Sequence, residues 1–394
     1  MEILFWILLG VVTYTFAGYA VLLWVVIFLK NTFWKKKPPV LPPYKSLPQV
    51  CQFVTAFNES DYVEKKVQNM LSLNYPPDKI QYLWITDGSN DGTPEKLRQY
   101  PQMEIHHLPE RNGKMHAMNR GMKFVKAPIV IFSDSNTILG KEAIAIIVQT
   151  FRDPRVGCIA GEKRIVANEM DNAAGAGENT YWKYESWVKR MDSELNSAIG
   201  AAGELFAIRT ELFTEVEEDT ILDDFIISLR IAQKGYKIAY APDAYAIETA
   251  SVNVTEELKR KVRIAAGGLQ TTVRLKELLN PLRFGWLSFQ YISHKVLRWT
   301  IAPFALFALF FVNLLLIQND QGAQRPLFYH YFFYLQAFMY LLALVGWAFE
   351  RWKIRFKILF VPFYFTAMNY AAIQGWLRFL KGRQSVRWEK SKRA

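Results

Sequence analysis

Two apolar, strand-like runs in this chain end in an aspartate, and a lysine opens a helix-like stretch between them. IQYLWIT (80–86) runs into Asp87-Gly88-Ser89-Asn90-Asp91-Gly92-Thr93, and Arg111-Asn112-Gly113-Lys114 follows. PIVIFS (128–133) then runs into Asp134-Ser135-Asn136. Open α/β sheets bind ligands outside the carboxyl ends of their strands, so each of these aspartates presents a carboxylate at that edge. Two such edges with a cation between them suit a nucleoside diphosphate. One acid can hold base or ribose, the lysine can neutralise phosphate, and the other acid can position a divalent cation through oxygen. DG and NG dipeptides are first of all turn formers, so the specificity lies in the order of the pieces.

The surrounding pattern fits that edge. QFVTAF (52–57), MEIHHL (103–108) and VGCIA (156–160) are further short apolar runs, with polar-periodic stretches at 60–73, 92–100 and 113–126 between strands. The alternation predicts an α/β fold, a mostly parallel sheet with crossover helices. NAAGAGENT (172–180) reads as a small-residue loop leading into an aromatic helix, TYWKYESWVKRMDSEL. Cys51 and Cys158, the only cysteines, sit in strand-like runs. Two cysteines make neither a structural zinc site nor a disulfide framework, and both are expected in the core.

A chain of 394 residues with net charge +12 and mean hydropathy +0.01 divides into two regimes. Residues 3–29 and 299–375 are strongly apolar, and 45–275 read as a globular domain. The first segment lacks the basic start and cleavage site of a signal peptide and is long enough to span a bilayer. Lys30, Lys35, Lys36 and Lys37 follow it, which places residue 30 onward inside by the positive-inside rule. A linker with five prolines runs from Lys37 to Pro48. Residues 281–298, with aromatics interleaved by Arg283, Lys295 and Arg298, read as an amphipathic helix at the membrane surface. Spans are expected at 299–317 and 327–349, and the basic ERWKIRFK that follows belongs inside. Residues 358–376 carry Pro362, Asn369 and Gln374 and read equally as a third span or as a re-entrant or interfacial element. The positive charge lies beside membrane segments, which suits anionic lipid headgroups rather than nucleic acid.

This order of motifs resembles the family 2 glycosyltransferases, inverting enzymes of GT-A fold related to hyaluronan, chitin and poly-N-acetylglucosamine synthases. The resemblance covers roughly residues 48–275. Ala56-Phe57-Asn58-Glu59 matches the family's AYNE, and Asp87 onward matches DDGS-DGT with Thr86 in place of the first acid. Gly113-Lys114 through Asn119-Arg120-Gly121 matches GK-AAL-N-G, and Asp134-Ser135-Asn136 matches DxD with Asn136 as its last member. The resemblance implies nucleotide-sugar binding by Thr55, Phe57, Asn58, Glu59, Asp87, Lys114, Asp134, Ser135 and Arg263. It implies Mg²⁺ or Mn²⁺ held by Asp134 and Asn136, since an amide oxygen also coordinates a hard cation.

In ILDDFIISLRIAQKGY the family's acidic pair matches Asp223-Asp224, with Asp224 as catalytic base. An Asp pair before an amphipathic run is also a helix start, and that reading stays open for Asp223. IGAAGELFAIR (199–209) resembles the family's acceptor-lining segment, implying acceptor contacts from Gly203, Glu204 and Asp223; surface charge is the alternative for Glu204. Arg260-Lys261-Val262-Arg263-Ile264 stands where synthases carry Gln-x-x-Arg-Trp, so Arg263 is expected near the diphosphate and the stacking Trp is absent. Asp91 reads as a turn former, and His106 and His107 as structural.

The expected organisation is an anchor (1–30), a basic proline-rich linker (31–47), a GT-A domain (48–280), an interfacial helix (281–298), a membrane region (299–380) and a basic tail (381–394). The expected function is transfer of a sugar, from a UDP-linked donor, to a polysaccharide or lipid-linked acceptor at the cytoplasmic face of a bacterial inner membrane. The alternative is a non-catalytic transferase-like scaffold or glycan-export component, favoured by Thr86 and Asn136. Sugar, linkage, processivity and oligomeric state are not legible.

Overall fold

A computed structural model describes residues 1–33, 46–166, 173–249, 254–318, 326–352 and 357–382. The proline-rich linker and the basic tail fall almost wholly outside them.

Eight strands form one sheet: β1 (Val50–Ala56), β2 (Ile80–Asp87), β3 (Met103–Leu108), β4 (Ile129–Phe132), β5 (Ile138–Leu139), β6 (Val156–Val166), β7 (Phe206–Arg209) and β8 (Lys237–Thr249). Their order is β3-β2-β1-β4-β7-β6-β8-β5. The first four neighbours pair in parallel, as the alternating pattern predicts. β7 then enters antiparallel between β4 and β6, β6 and β8 are parallel, and β5 caps the far edge antiparallel. All five apolar runs read from the sequence are strands of this sheet.

Helices cover both faces. One core layer packs β1, β2, β4, β6 and β7 against the helices Lys114–Met122 and Asp223–Gln233, and a second packs the other face against the helix Ala143–Thr150. Gly121 shows how close the first layer lies: a Cβ there would come 2.3 Å from Phe53. Cys51 and Cys158 are free thiols, both fully buried.

Two elements differ from the sequence reading. The small-residue stretch is helical, so the aromatic helix begins at Ala173 and runs to Leu195; its alanines are the best helix formers and outweigh the two glycines. The expected amphipathic helix at 281–298 is broken into Pro281–Phe284, Trp286–Tyr291, a π-helical turn Ile292–Val296, and Leu297–Trp299. Gly285 breaks it with φ 51° and ψ −122°, a conformation that glycine adopts readily. Its charges also find protein partners: Arg283 pairs with Glu277 at 2.9 Å, and Lys295 and Arg298 both reach Glu185.

Glu2–Phe33, Ile301–Gln318 and Leu327–Arg351 are long and apolar enough to cross a membrane. Lys357–Leu380 is one continuous helix through Pro362. It lies against the helix Val254–Arg274, where a Cβ on Gly375 would meet that of Ala265 at 2.5 Å. The N-terminal helix is tied to the domain by a buried hydrogen bond from Tyr19 to Asp192 (2.5 Å) and by Lys30 to the carbonyls of Glu194 and Leu195 (3.0 Å each).

Candidate functional site

The carboxyl ends of β1, β2 and β4 lie side by side, and the aspartates that end β2 and follow β4 open into one cleft edge. Asp87 is buried, and its Oδ2 accepts the backbone N–H groups of Asn112 (3.0 Å) and Gly113 (2.7 Å). It thereby anchors the start of the helix Lys114–Met122, whose first residue points its ammonium across the edge. Lys114 Nζ lies 3.0 Å from Asp134 Oδ1 and 3.1 Å from Asp223 Oδ2. Asp223 and Asp224 occupy the first turn of the helix Asp223–Gln233, for which Leu222 is the cap residue. Neither aspartate is the N-cap. Asp223 holds Lys114, and Asp224 Oδ1 accepts the N–H of Phe225 at 2.8 Å.

Gly203 closes the arrangement. A Cβ at that position would sit 3.5 Å from Asp224 Oδ2, 3.5 Å from Lys114 Nζ and 3.8 Å from Asp134 Oδ2. Side chains separated by up to 110 residues, from Lys114 to Asp224, therefore converge on one small space that glycine leaves open.

The charges there are strongly coupled. Burial, the neighbouring Asp223 and Glu204 raise Asp224 to about 7 against the pull of Lys114. Burial alone would lower the Lys114 ammonium, but Asp134, Asp223 and Asp224 outweigh it and hold its pKa above the ordinary value. Asp134 is raised by burial and by Glu204, Glu248 and Asp223, with Lys114 opposing. Three carboxylates around one ammonium leave an excess of negative charge.

A second ion cluster adjoins the first. Lys163 is buried and bridges Glu204 (2.6 Å) and Glu248 (2.5 Å), and Asn136 Nδ2 donates to Glu248 at 3.4 Å. Glu204 is thus a half-buried, ion-paired group and not a solvated surface charge; burial opposes its ionisation, and Lys163 lowers its pKa overall. Lys66, on the helix Val63–Leu71, is fully buried and donates to Thr137 O (2.9 Å) and Oγ1 (3.3 Å). Thr137 Oγ1 in turn donates to Asp134 O at 2.8 Å, so Lys66 braces the Asp134-Ser135-Asn136 turn from behind.

The remaining expected residues fall around this edge. Thr55 and Ser135 are buried. The Phe57 ring lies 3.8 Å beneath the Arg111 guanidinium. Asn58, at φ 55°, takes Ser89 Oγ on its N–H (3.1 Å) and exchanges side-chain bonds with Asn90. Glu59 N–H donates to Thr93 Oγ1 at 2.9 Å. These two residues stitch the loop after β1 to the turn after β2. Asp91 is the turn former the sequence suggests, accepting from Ser60 and Thr93 (3.0 Å each). Thr86, in place of an acid, hydrogen-bonds His107 Nδ1 at 2.8 Å, and the His106 ring stacks on Phe124.

Arg263 is half-buried on the helix Val254–Arg274. Residues 263, 267, 270 and 274 share a helix face. On that face Gly267 packs on Leu222, Gln270 binds Ile221 N (3.0 Å) and Asp219 O (2.8 Å), and Arg274 pairs with Asp219. Arg263 therefore lies one turn beyond the contact that backs Asp223. Arg260, in the place of a glutamine, pairs with Glu257 at 2.9 Å.

Over residues 48–267 the chain matches the family described as Glycosyltransferase like family 2. The chain belongs to that family. It shares 26% identity over 246 residues with the poly-β-1,6-N-acetyl-D-glucosamine synthase of Staphylococcus aureus strain MSSA476, covering 61% of this chain and 58% of that protein. With the synthase of the same name from Staphylococcus epidermidis it shares 25% over 324 residues, 74% of this chain and 77% of that one. The chain thus spans under two thirds of the S. aureus relatives and more of the S. epidermidis one. Its fold is that of a mannosyltransferase from Pyrobaculum calidifontis solved with GDP-Man and Mn²⁺: TM-score 0.69, 22% identity, 97% of this chain and 100% of that one. As a family 2 member it is a glycosyltransferase with a GT-A domain.

Sequence reasoning missed Lys66, Lys163, Glu248 and Gln270. Lys66 carried a signal, since it occupies the apolar face of its helix with Val63, Val67 and Met70. Lys163 and Glu248 carried none, because they meet only through the pairing of β6 with β8.

Proposed function

We propose that the protein is a membrane-anchored inverting glycosyltransferase. It takes a sugar from a nucleoside diphosphate donor, UDP-linked, and transfers it to a hydroxyl of a glycan or a lipid-linked acceptor. The observation that carries this reading is the convergence of Asp224, Lys114 and Asp134 on the space left open by Gly203. With its pKa near 7, Asp224 is a carboxylate in about half the molecules at neutral pH yet basic enough to accept a hydroxyl proton.

In the transfer, Asp224 takes the acceptor proton as the acceptor oxygen bonds the anomeric carbon. The bond from that carbon to the diphosphate oxygen breaks, and its electron pair leaves with the nucleoside diphosphate. Attack opposite the leaving group inverts the centre. Lys114 and Arg263 supply positive charge to the departing diphosphate. Asp87 holds the nucleoside, and Gly203, Glu204 and Asp223 line the acceptor side.

Among the described residues no three or more acidic, histidine or cysteine side chains group into a ready-made cation site. Asp134 and Asn136 are the residues that would hold a hard cation, through a carboxylate and an amide oxygen, both donor types such cations accept. The excess of carboxylates would repel a diphosphate arriving without one. Mg²⁺ or Mn²⁺ held there would neutralise charge on the leaving group.

The names of the relatives support a polymeric or glycan acceptor, the three apolar helices among the described residues support membrane attachment, and the basic residues after residue 29 support a cytoplasmic side for the domain. The scaffold alternative loses weight because Thr86 serves a hydrogen bond to His107 and the charged set at Gly203 is complete without an acid there. Full-length protein in detergent, given a panel of nucleotide sugars with Mn²⁺ or Mg²⁺, should release one nucleoside diphosphate preferentially and stop on chelation. Absence of turnover with every sugar nucleotide would overturn the reading.

A further inference from the structure

Glu248 lies at the floor of the second ion cluster. Its side chain is 1% exposed, and the equally buried Lys163 reaches it at 2.5 Å. The sheet sets this contact. β6 and β8 run in parallel with Lys163 opposite Ala246 and Ile165 opposite Glu248, so both charged side chains leave the same face. β5 runs antiparallel to β8 with Ile138 opposite Ile247, so the turn just before β5 lies beside Glu248 as well. That turn carries Asp134 and ends in the half-buried Asn136, whose Nδ2 donates to Glu248 Oε1 at 3.4 Å. The two ends of an amide are alike in shape, and hydrogen-bond neighbours decide which way it points. A carboxylate paired with an ammonium only accepts. Glu248 therefore takes the amino end of Asn136 and leaves the carbonyl oxygen turned away from itself. A hard cation takes an amide through that oxygen. Lys163 is already shared with Glu204 at 2.6 Å. A carboxylate at 136 would face Glu248 with like charge and no donor between them.

We infer that Glu248 is a positioning residue for the divalent cation. Fixed by Lys163, it turns the Asn136 amide so that Oδ1 is presented as a ligand, and it acts on the cation through Asn136. The amide at 136 and the carboxylate at 248 work as a pair. The amide stands where the resembling motif carries an acid because the neighbouring strand brings a buried carboxylate against it. Groups that orient a ligand matter to a metal site nearly as much as the ligand itself.

This role rests on the cation-assisted transfer proposed above, and the test separates the two. Mn²⁺ binding to the full-length protein in detergent is titrated by electron paramagnetic resonance with saturating UDP, or GDP where UDP does not bind. The proteins are wild type, Glu248→Asp, Glu248→Gln, Asn136→Ala and Asn136→Ala with Glu248→Asp. Glu248→Asp keeps the charge but falls a methylene short of Asn136, and both Glu248 variants leave Lys163 paired with Glu204. Each single change should weaken Mn²⁺ about tenfold or more. The double variant should stay within about twofold of Asn136→Ala, because Glu248 acts through Asn136. An effect of charge alone would spare Glu248→Asp and persist without Asn136. Thermal melts in EDTA at pH 8 read the pairing with Glu248 unchanged: Asn136→Asp should lower the melting temperature by about 3 °C or more, and adding Glu248→Gln should restore it. Folded Glu248→Asp with unchanged Mn²⁺ affinity, a Glu248→Asp effect that persists beside Asn136→Ala, or Asn136→Asp melting like wild type overturns the inference while leaving cation binding and transfer standing. Failure of the wild type to bind Mn²⁺ with either nucleotide removes the cation site and the inference together.

Discussion

Replacing Asp224 by Asn isolates the chemical step from the architecture around it. The amide keeps the oxygen that accepts Phe225 N–H at 2.8 Å. Lys114 keeps both of its close partners, Asp134 at 3.0 Å and Asp223 at 3.1 Å. What disappears is a proton acceptor. Loss of a general base slows turnover by about two to four orders of magnitude, or about 3–5 kcal/mol of barrier, while nucleotide affinity stays close to wild type. Stability changes in the opposite sense. Asp224 titrates near 7 in the folded protein and near 3.8 unfolded, so the folded state holds the extra proton between those values. The wild type therefore loses stability as pH rises through that window, by at most about 4 kcal/mol at about 1.4 kcal/mol per pH unit. The variant has no such loss, and its melting temperature relative to wild type should climb from pH 4 to pH 8. Transfer assays with the preferred donor, run across pH on both proteins, complete the test: wild-type kcat/KM should rise with an acid limb near pH 7, and the variant should lack that limb. A folded Asp224→Asn protein that transfers sugar at the wild-type rate would refute the assignment.

Three other perturbations probe the same cleft. Gly203→Ala puts a methyl at ordinary contact distance from Asp224 and Lys114, so thermal melts should be unchanged while kcat/KM falls about tenfold or more through misplacement of reacting groups. Asp134→Asn removes the one carboxylate of its turn; manganese binding, followed by electron paramagnetic resonance, should be weak without nucleotide in both proteins and strengthen with UDP only in wild type. Lys66→Met removes a buried ammonium that burial lowers to about 7, with Asp134 opposing. The unfolded chain holds that proton to higher pH, so wild-type stability should rise from pH 7 toward pH 10 and the variant should show no such rise, while its donor KM increases as the Thr137 brace is lost. Equal pH slopes in the two sets of melts would contradict that account.

The strands that carry the site were legible because period and chain chemistry are local. IQYLWIT and PIVIFS announce buried parallel strands, and an Asp after each sits at the carboxyl edge by necessity of strand direction. The pairing of Asp87 with the Asn112-Gly113 amides, and the reach of Lys114 to Asp134, follow once β1 sets those two strands on either side of it. The helix Val63–Leu71 was legible as a polar-periodic stretch, whereas the burial of Lys66 on its apolar face and its bond to Thr137 were not. Tertiary structure decided the rest. Whether Asp223 or Asp224 meets Lys114, that Glu204 is ion-paired, and that Asn136 meets Glu248 all depend on β7 entering antiparallel between β4 and β6. That insertion brings residues 203–204 back over the cleft, and no local period encodes it. The buried contact of Asp87 with His116 at 3.8 Å is of the same kind: a sequence specifies which polar groups exist, but only the packed chain determines which of them meet.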